Sequence, residues 1–172
     1  MRKIKKVILA VILFGIMGCV LDFAAKAIPD FKTQQDTKLY ENKTYKVSLH
    51  YSKNWKINPK YVEKYEGNDG FFQVSAYSGK GLLIDEVVQK EVNHILKPYG
   101  SNPKVTGLSI QGQEARLIMP SEDQKDEFNH QAELIVKYPK AVKINESTYY
   151  FFILWADTSH IRQISDTLRF IG

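Results

Sequence analysis

The chain has 172 residues, a formal net charge of +5 and a sequence pI near 9.1, with 44% hydrophobic and 12% aromatic residues. That length suits one domain with an extension, and it can bury a core without covalent staples. The single cysteine excludes an internal disulfide, a CxxC redox pair and a multi-cysteine zinc site, while the aromatic content and ordinary charge density exclude a wholly disordered chain.

Met1-Arg2-Lys3-Ile4-Lys5-Lys6 precedes an apolar run from Val7 to Leu21. A basic stretch followed by an apolar one has the layout of a bacterial export signal. The run falls short of the roughly 20 residues that span a bilayer. Asp22 interrupts it, although Phe23-Ala24-Ala25 would extend a tilted helix. Ile16-Met17-Gly18-Cys19 resembles the lipobox of bacterial lipoproteins, with an aliphatic residue at −3 and a small one at −1 before the cysteine. Met17 stands where that family has a small or β-branched residue. The resemblance implies cleavage between Gly18 and Cys19 and lipid on the Cys19 thiol. Two other readings stay open: an uncleaved anchor in which Cys19 is a small apolar residue, and release by ordinary cleavage. With lipid or with an uncleaved helix, the rest of the chain lies outside the cytoplasm. Residues 19–39 are polar and mixed in charge without apolar periodicity, as expected of a flexible tether. The globular domain is then residues 40–172.

Tyr45, Val47, Leu49 and Tyr51 alternate with polar residues, which predicts a strand with one buried face. Trp55 follows a turn and is placed to close the core. Gly67-Asn68-Asp69-Gly70 is a turn signal leading to a strand from Phe71 to Tyr77. Ile84, Val87, Val88, Val92, Ile95 and Leu96 share one helical face, with Asp85 and Glu86 favouring its start and Pro98 stopping it. Lys104–Gln111 and Gln113–Met119 read as two strands about Gly112, and Ser121–His130 as a loop with a short helix capped by Ser121. Ala132, Leu134, Val136 and Tyr138 alternate with Gln131, Glu133, Ile135 and Lys137 as another half-buried strand. Tyr149–Ala156 is apolar on both faces, the mark of a strand in mid-sheet. A last helix, capped by Asp157, Thr158 or Ser159, carries Ile161, Ile164, Leu168 and Ile171 on one face. The order β-β-α-β-β-β-β-α, with short late connections, predicts an α+β domain: two main helices on a mostly antiparallel sheet.

Tyr45-Lys46-Val47-Ser48-Leu49-His50-Tyr51-Ser52-Lys53-Asn54-Trp55 is similar to the opening segment of PsbP-like domains, with Ser52 where that family has proline. Gly112-Gln113-Glu114-Ala115 resembles their hairpin turn, and the last aliphatic strand followed by a helix ending Leu168-Arg169-Phe170 matches in order. Related domains occur in bacterial surface lipoproteins and at the extracellular end of BlaR-type membrane metallopeptidases. The resemblance implies an α/β/α sandwich and an extracytoplasmic binding or accessory module. It brings no catalytic residues.

The residues themselves offer little chemistry. His50, His94, His130 and His160 have no metal-ligand spacing and read as solvated or structural. Ser78-Gly79-Lys80-Gly81 lacks the P-loop spacing and reads as a turn, and no G-x-S-x-G elbow exists. Glu122, Asp123, Asp126 and Glu127 lack the central glycine of a calcium loop, so they read as a solvated loop and the first candidate for partner contact. Tyr149, Tyr150, Phe151, Phe152 and Trp155 lie in an uninterrupted apolar strand, which favours core packing over base stacking. The sequons at Asn42 and Asn145 are chance matches in a chain of bacterial appearance.

The expectation is therefore a membrane-anchored extracytoplasmic lipoprotein, a non-catalytic module without cofactor or metal, whose partners are the membrane and a protein of the cell envelope. A single-pass protein with a structural or regulatory external domain is the alternative, with a hydrolase assembled from distant residues behind it. Four of the five excess positive charges (Arg2, Lys3, Lys5 and Lys6) lie in residues 1–18, residues 19–39 sum to zero and the domain carries +1. The basic pI thus belongs to the export signal and gives no support to a nucleic-acid partner.

Overall fold

The computed structural model describes residues 36–172. The expected signal or anchor, its cleavage site at Gly18 and Cys19, and the tether up to residue 35 lie outside the described residues. Two sheets form, and every pairing in them is antiparallel. The larger one has the order β3-β4-β5-β9-β8-β7-β6. Its strands are β3 (Lys56–Ile57), β4 (Lys64–Glu66), β5 (Phe71–Tyr77), β6 (Lys104–Ile110), β7 (Gln113–Met119), β8 (Gln131–Ile144) and β9 (Ser147–Asp157). The smaller has the order β1-β2-β10, from β1 (Thr37–Asn42), β2 (Val47–Ser52) and β10 (Arg169–Phe170). Helix α1 spans Ile84–Val92 and helix α2 spans Ile161–Thr167. Among the described residues no helix is long and apolar enough to cross a membrane.

The alternation in β8 and β9 sorts the core into two clusters. Leu134, Val136, Phe152, Leu154 and Ala156 pack with Val47, Leu49, Trp55, Ile161, Ile164 and Leu168, under the small sheet and α2. Ile135, Phe151 and Ile153 pack on the other face with Ile84, Val87, Val88 and Tyr99, under α1 and the loop after it. The central position expected for β9 is observed, between β5 and β8. Trp55 closes the core as expected and is wholly buried, its Nε1 donating to Asp69 Oδ1 at 2.6 Å. Gly70 is required where it stands: a Cβ there would lie 2.7 Å from His160 Nδ1 and 2.9 Å from the Trp55 ring. The β6–β7 turn places Gln111 and Gly112 at φ 49° and 78°, as a type I′ hairpin demands.

Several expected boundaries are corrected. Strand β1 falls inside the expected tether, pairing in register with β2 from Thr37↔Ser52 to Asn42↔Val47. Its sequence, TKLYEN, has no alternation to betray it; Tyr40 is buried and Leu39 exposed. Helix α1 stops at Val92, leaving Ile95 90% and Leu96 55% exposed rather than on its buried face. The chain leaves the helix there to carry Tyr99 back under it, with Lys97 at φ 48°. Helix α2 begins after His160, with Asp157 using its carboxylate on Ser159 and Phe71 amides instead of a cap. It ends at Thr167, and Arg169–Phe170 pair with Ser48–Val47 rather than continuing as helix to Ile171. Strand β8 continues to Ile144 across an irregularity between Lys137 and Val142, where Pro139 has no N–H to donate. In the Ser121–His130 loop the short 3₁₀ turn is Asp126–Phe128, and Ser121 bonds Asp123 and the Tyr99 carbonyl instead of capping it.

Leu154→Ala, at a wholly buried site in the middle of the large sheet, is expected to lower unfolding free energy by about 2–5 kcal/mol in a urea titration. Leu83→Ala, at a site 71% exposed, is expected to change it by less than about 0.5 kcal/mol.

Candidate functional site

The structure brings none of the four histidines together. His50 Nδ1 lies 3.4 Å from Thr37 Oγ1, His94 Nδ1 accepts from the Leu96 amide, and the His130 carbonyl accepts from Thr158. His160 pairs with Asp157, Nδ1 to Oδ1 at 2.8 Å, and sets its ring edge-on to Trp55. That pair ties the start of α2 to the turn before β5. The Ser78–Gly81 segment is a turn, closed by the Leu82 amide on the Gly79 carbonyl. In the acidic loop, Asp123 accepts from the Ser101 amide and the Ser121 hydroxyl, which hold its carboxyl well below the usual carboxylate range. Gln124 Nε2 donates to the Pro98 and Gln131 carbonyls. Asp123 and Gln124 therefore fasten the 98–102 loop, while Glu122, Asp126 and Glu127 are exposed. The β9 aromatics divide between the two core clusters. Asn42 caps the β1–β2 turn, accepting from the Thr44 and Tyr45 amides.

A buried polar cluster was not foreseen. Glu133, expected on the outer face of a half-buried strand, is wholly buried because β8 is covered on both sides. Its Oε2 accepts from Tyr99 Oη at 2.7 Å, and Tyr99 Oη accepts from Trp155 Nε1 at 3.1 Å. Oε1 has no hydrogen-bond partner. Burial, with the Glu91 carboxyl of α1 nearby, pushes Glu133 up to about 8, so it is largely a neutral acid at pH 7. The same burial and the Glu133 charge raise the Tyr99 hydroxyl well above its ordinary value. Among the described residues no three His, Cys, Asp or Glu side chains converge as cation ligands. The signal available in the sequence was Ile135: an aliphatic residue on the supposedly wet face of β8 says that face is covered.

A groove opens where β8 passes its irregularity. Tyr138, Val142, Phe170 and Ile171 supply apolar walls, with Lys46, Lys140 and Lys143 around them, and it encloses about 600 Å³. Tyr138 Oη donates to the Tyr45 carbonyl at 2.9 Å, and its ring meets Phe170 at 5.4 Å. Burial keeps the Tyr138 hydroxyl protonated far into the alkaline range. The lining thus combines hydrocarbon with three lysines, and Gly172 stands among them. That lining suits an apolar segment.

No protein-family model and no curated protein matches the sequence. Among solved structures the chain is similar to the solution structure of cyanobacterial PsbP (CyanoP) from Synechocystis sp., with a TM-score of 0.41 and 10% identity over 78% of this chain and 92% of that one.

Glu133 is raised from an ordinary 4.5 to about 8, so the folded state holds a proton that the unfolded chain has lost across that window. Stability from this group is complete below about pH 4.5 and falls by roughly 1 kcal/mol per unit as pH rises to about 8. Glu133→Gln keeps an acceptor for Tyr99 and removes the titration. In denaturant titrations at pH 5, 6.5 and 8 the variant is expected to gain on the parent steadily with pH. A difference that stays constant would refute the assignment.

Proposed function

We propose that this chain is a lipid-anchored extracytoplasmic module, held at Cys19, whose α+β domain has the PsbP-like arrangement and binds a partner without catalysis. The observation that carries this reading is the placement of the groove. Asp36 lies beside Lys53 just past the end of β2, with the Lys53 amide donating to the Asp36 carbonyl at 3.0 Å. The groove includes Lys46, just before the start of β2. The chain thus enters the domain at one end of β2, and the groove lies at the other.

The N-terminal pattern supports the anchor: a basic opening, an apolar run, then Ile16-Met17-Gly18-Cys19 with the chain's one cysteine. A diacylglyceryl group supplies two acyl chains, enough for stable anchoring. The mechanism is presentation: lipid holds the chain, the tether gives reach and the groove takes the partner. The segment order from Tyr45–Trp55 through Gly112–Ala115 to Leu168–Phe170 supports the PsbP-like reading of the domain.

Metabolic labelling with a radioactive fatty acid is expected to mark the parent protein and leave Cys19→Ala unlabelled. An unlabelled parent refutes lipidation and leaves the uncleaved single-pass anchor in its place.

A further inference from the structure

We propose that the hairpin joining β3 to β4 is a membrane-docking tip that seats on anionic lipid headgroups; this rests on the anchored reading above. The hairpin exposes three large apolar side chains within six residues, Ile57 at 58%, Tyr61 at 52% and Val62 at 71%. They are held outward by the loop's own bonds. Asn58 Oδ1 accepts from the Lys60 amide, the Asn58 carbonyl accepts from the Tyr61 amide, and the Val62 carbonyl accepts from Gln73 Nε2. These bonds fix the loop backbone in the conformation that exposes them.

Charge fits the same occupant. Of the four lysines and two glutamates in residues 53–66, Lys53 pairs with Asp36 and Lys64 with Glu66, which leaves Lys56 and Lys60 against Glu63. Glu63 accepts from Tyr40 Oη at 2.8 Å, and Glu66 accepts from Asn58 Nδ2 and pairs with Lys64 at 2.9 Å. Lys56 and Lys60 are exposed beside Ile57 and Tyr61. Apolar side chains ringed by lysine match the boundary between acyl chain and acidic headgroup, where each basic residue also draws on the negative surface potential.

Position fits as well. Strand β1, the first element after the tether, is bonded to both flanks of the hairpin. Lys38 Nζ donates to the Trp55 carbonyl at 2.9 Å, just before β3, and Tyr40 reaches Glu63, just before β4. The edge by which the chain enters the domain therefore carries the apolar tip.

The test uses the full chain carrying Tyr61→Trp, reconstituted in liposomes with brominated acyl chains. In phosphatidylglycerol liposomes its emission is expected to shift to the blue and to lose more intensity than the parent, whose two tryptophans belong to the core, Trp55 wholly buried and Trp155 packed against the cluster under α1. Adding Lys56→Glu and Lys60→Glu is expected to abolish that excess quenching, as is replacing the lipid with phosphatidylcholine. A chain that enters the liposomes but is quenched no more than the parent overturns the docking alone. A blue shift that needs no lipid and grows with protein concentration assigns the tip to a second copy and overturns it too. A chain that fails to enter the liposomes overturns the anchor and the docking together.

Discussion

The rest of the structure depends on one constraint: β9 is apolar on both faces and lies in the middle of a sheet. Phe152, Leu154 and Ala156 point one way, Phe151, Ile153 and Trp155 the other. Hydrocarbon on both faces demands a cover on both. The two covers are unequal. One face receives α2 together with the three strands of the small sheet. The other receives α1, nine residues long, which is too short to roof β7, β8 and β9 alone. The loop after α1 completes the roof by folding Tyr99 underneath, and this brings a hydroxyl into the core.

Glu133 follows from that hydroxyl. A buried Tyr O–H without an acceptor costs on the order of 1–3 kcal/mol, and Glu133 Oε2 supplies the acceptor while Trp155 Nε1 occupies the oxygen's lone pair. A carboxyl in that place is tolerable as long as it is neutral. Its protonation is therefore a consequence of how the loop after α1 completes the roof, and the whole arrangement fixes where the 93–100 loop lands. An apolar residue at 133 would fill the space but leave the Tyr99 hydroxyl with nowhere to donate. The acidic loop works toward the same end from outside, through Asp123 on Ser101 and Gln124 on Pro98.

What the sequence makes legible is what hydrophobic periodicity encodes. Strands β2, β5, β7 and β9 and the first two turns of α1 carry their burial in their spacing, and each appears where it was expected. Strand β1 does not, because its order comes from pairing with β2 and from the reach of Lys38 and Tyr40 to a hairpin some twenty residues away. The end of α1 is not legible because Ile95 and Leu96 keep helical spacing after the helix has stopped, while the burial of Tyr99 overrides them. Arg169–Phe170 leave the helical pattern for the same kind of reason, a ladder with β2 that local sequence cannot announce. The groove was invisible since it is made from β8, the β1–β2 turn and β10, three places with no common motif.

The two surfaces that give the domain its polarity have a shared origin in strand order. The docking hairpin is at one margin of the large sheet, in β3 and β4, and the groove is framed by β8. Four steps of strand order separate β3 from β8, or about 19 Å at the usual interstrand spacing. Screening in physiological salt acts over about 8 Å. A negative membrane meeting Lys56 and Lys60, as proposed, would therefore be largely unfelt by Lys46, Lys140 and Lys143. On the proposed reading, a domain with a net charge near +1 can therefore hold two basic surfaces that do not compete for one partner. A narrower sheet, with both sets of lysines on neighbouring strands, would draw the groove itself onto the lipid.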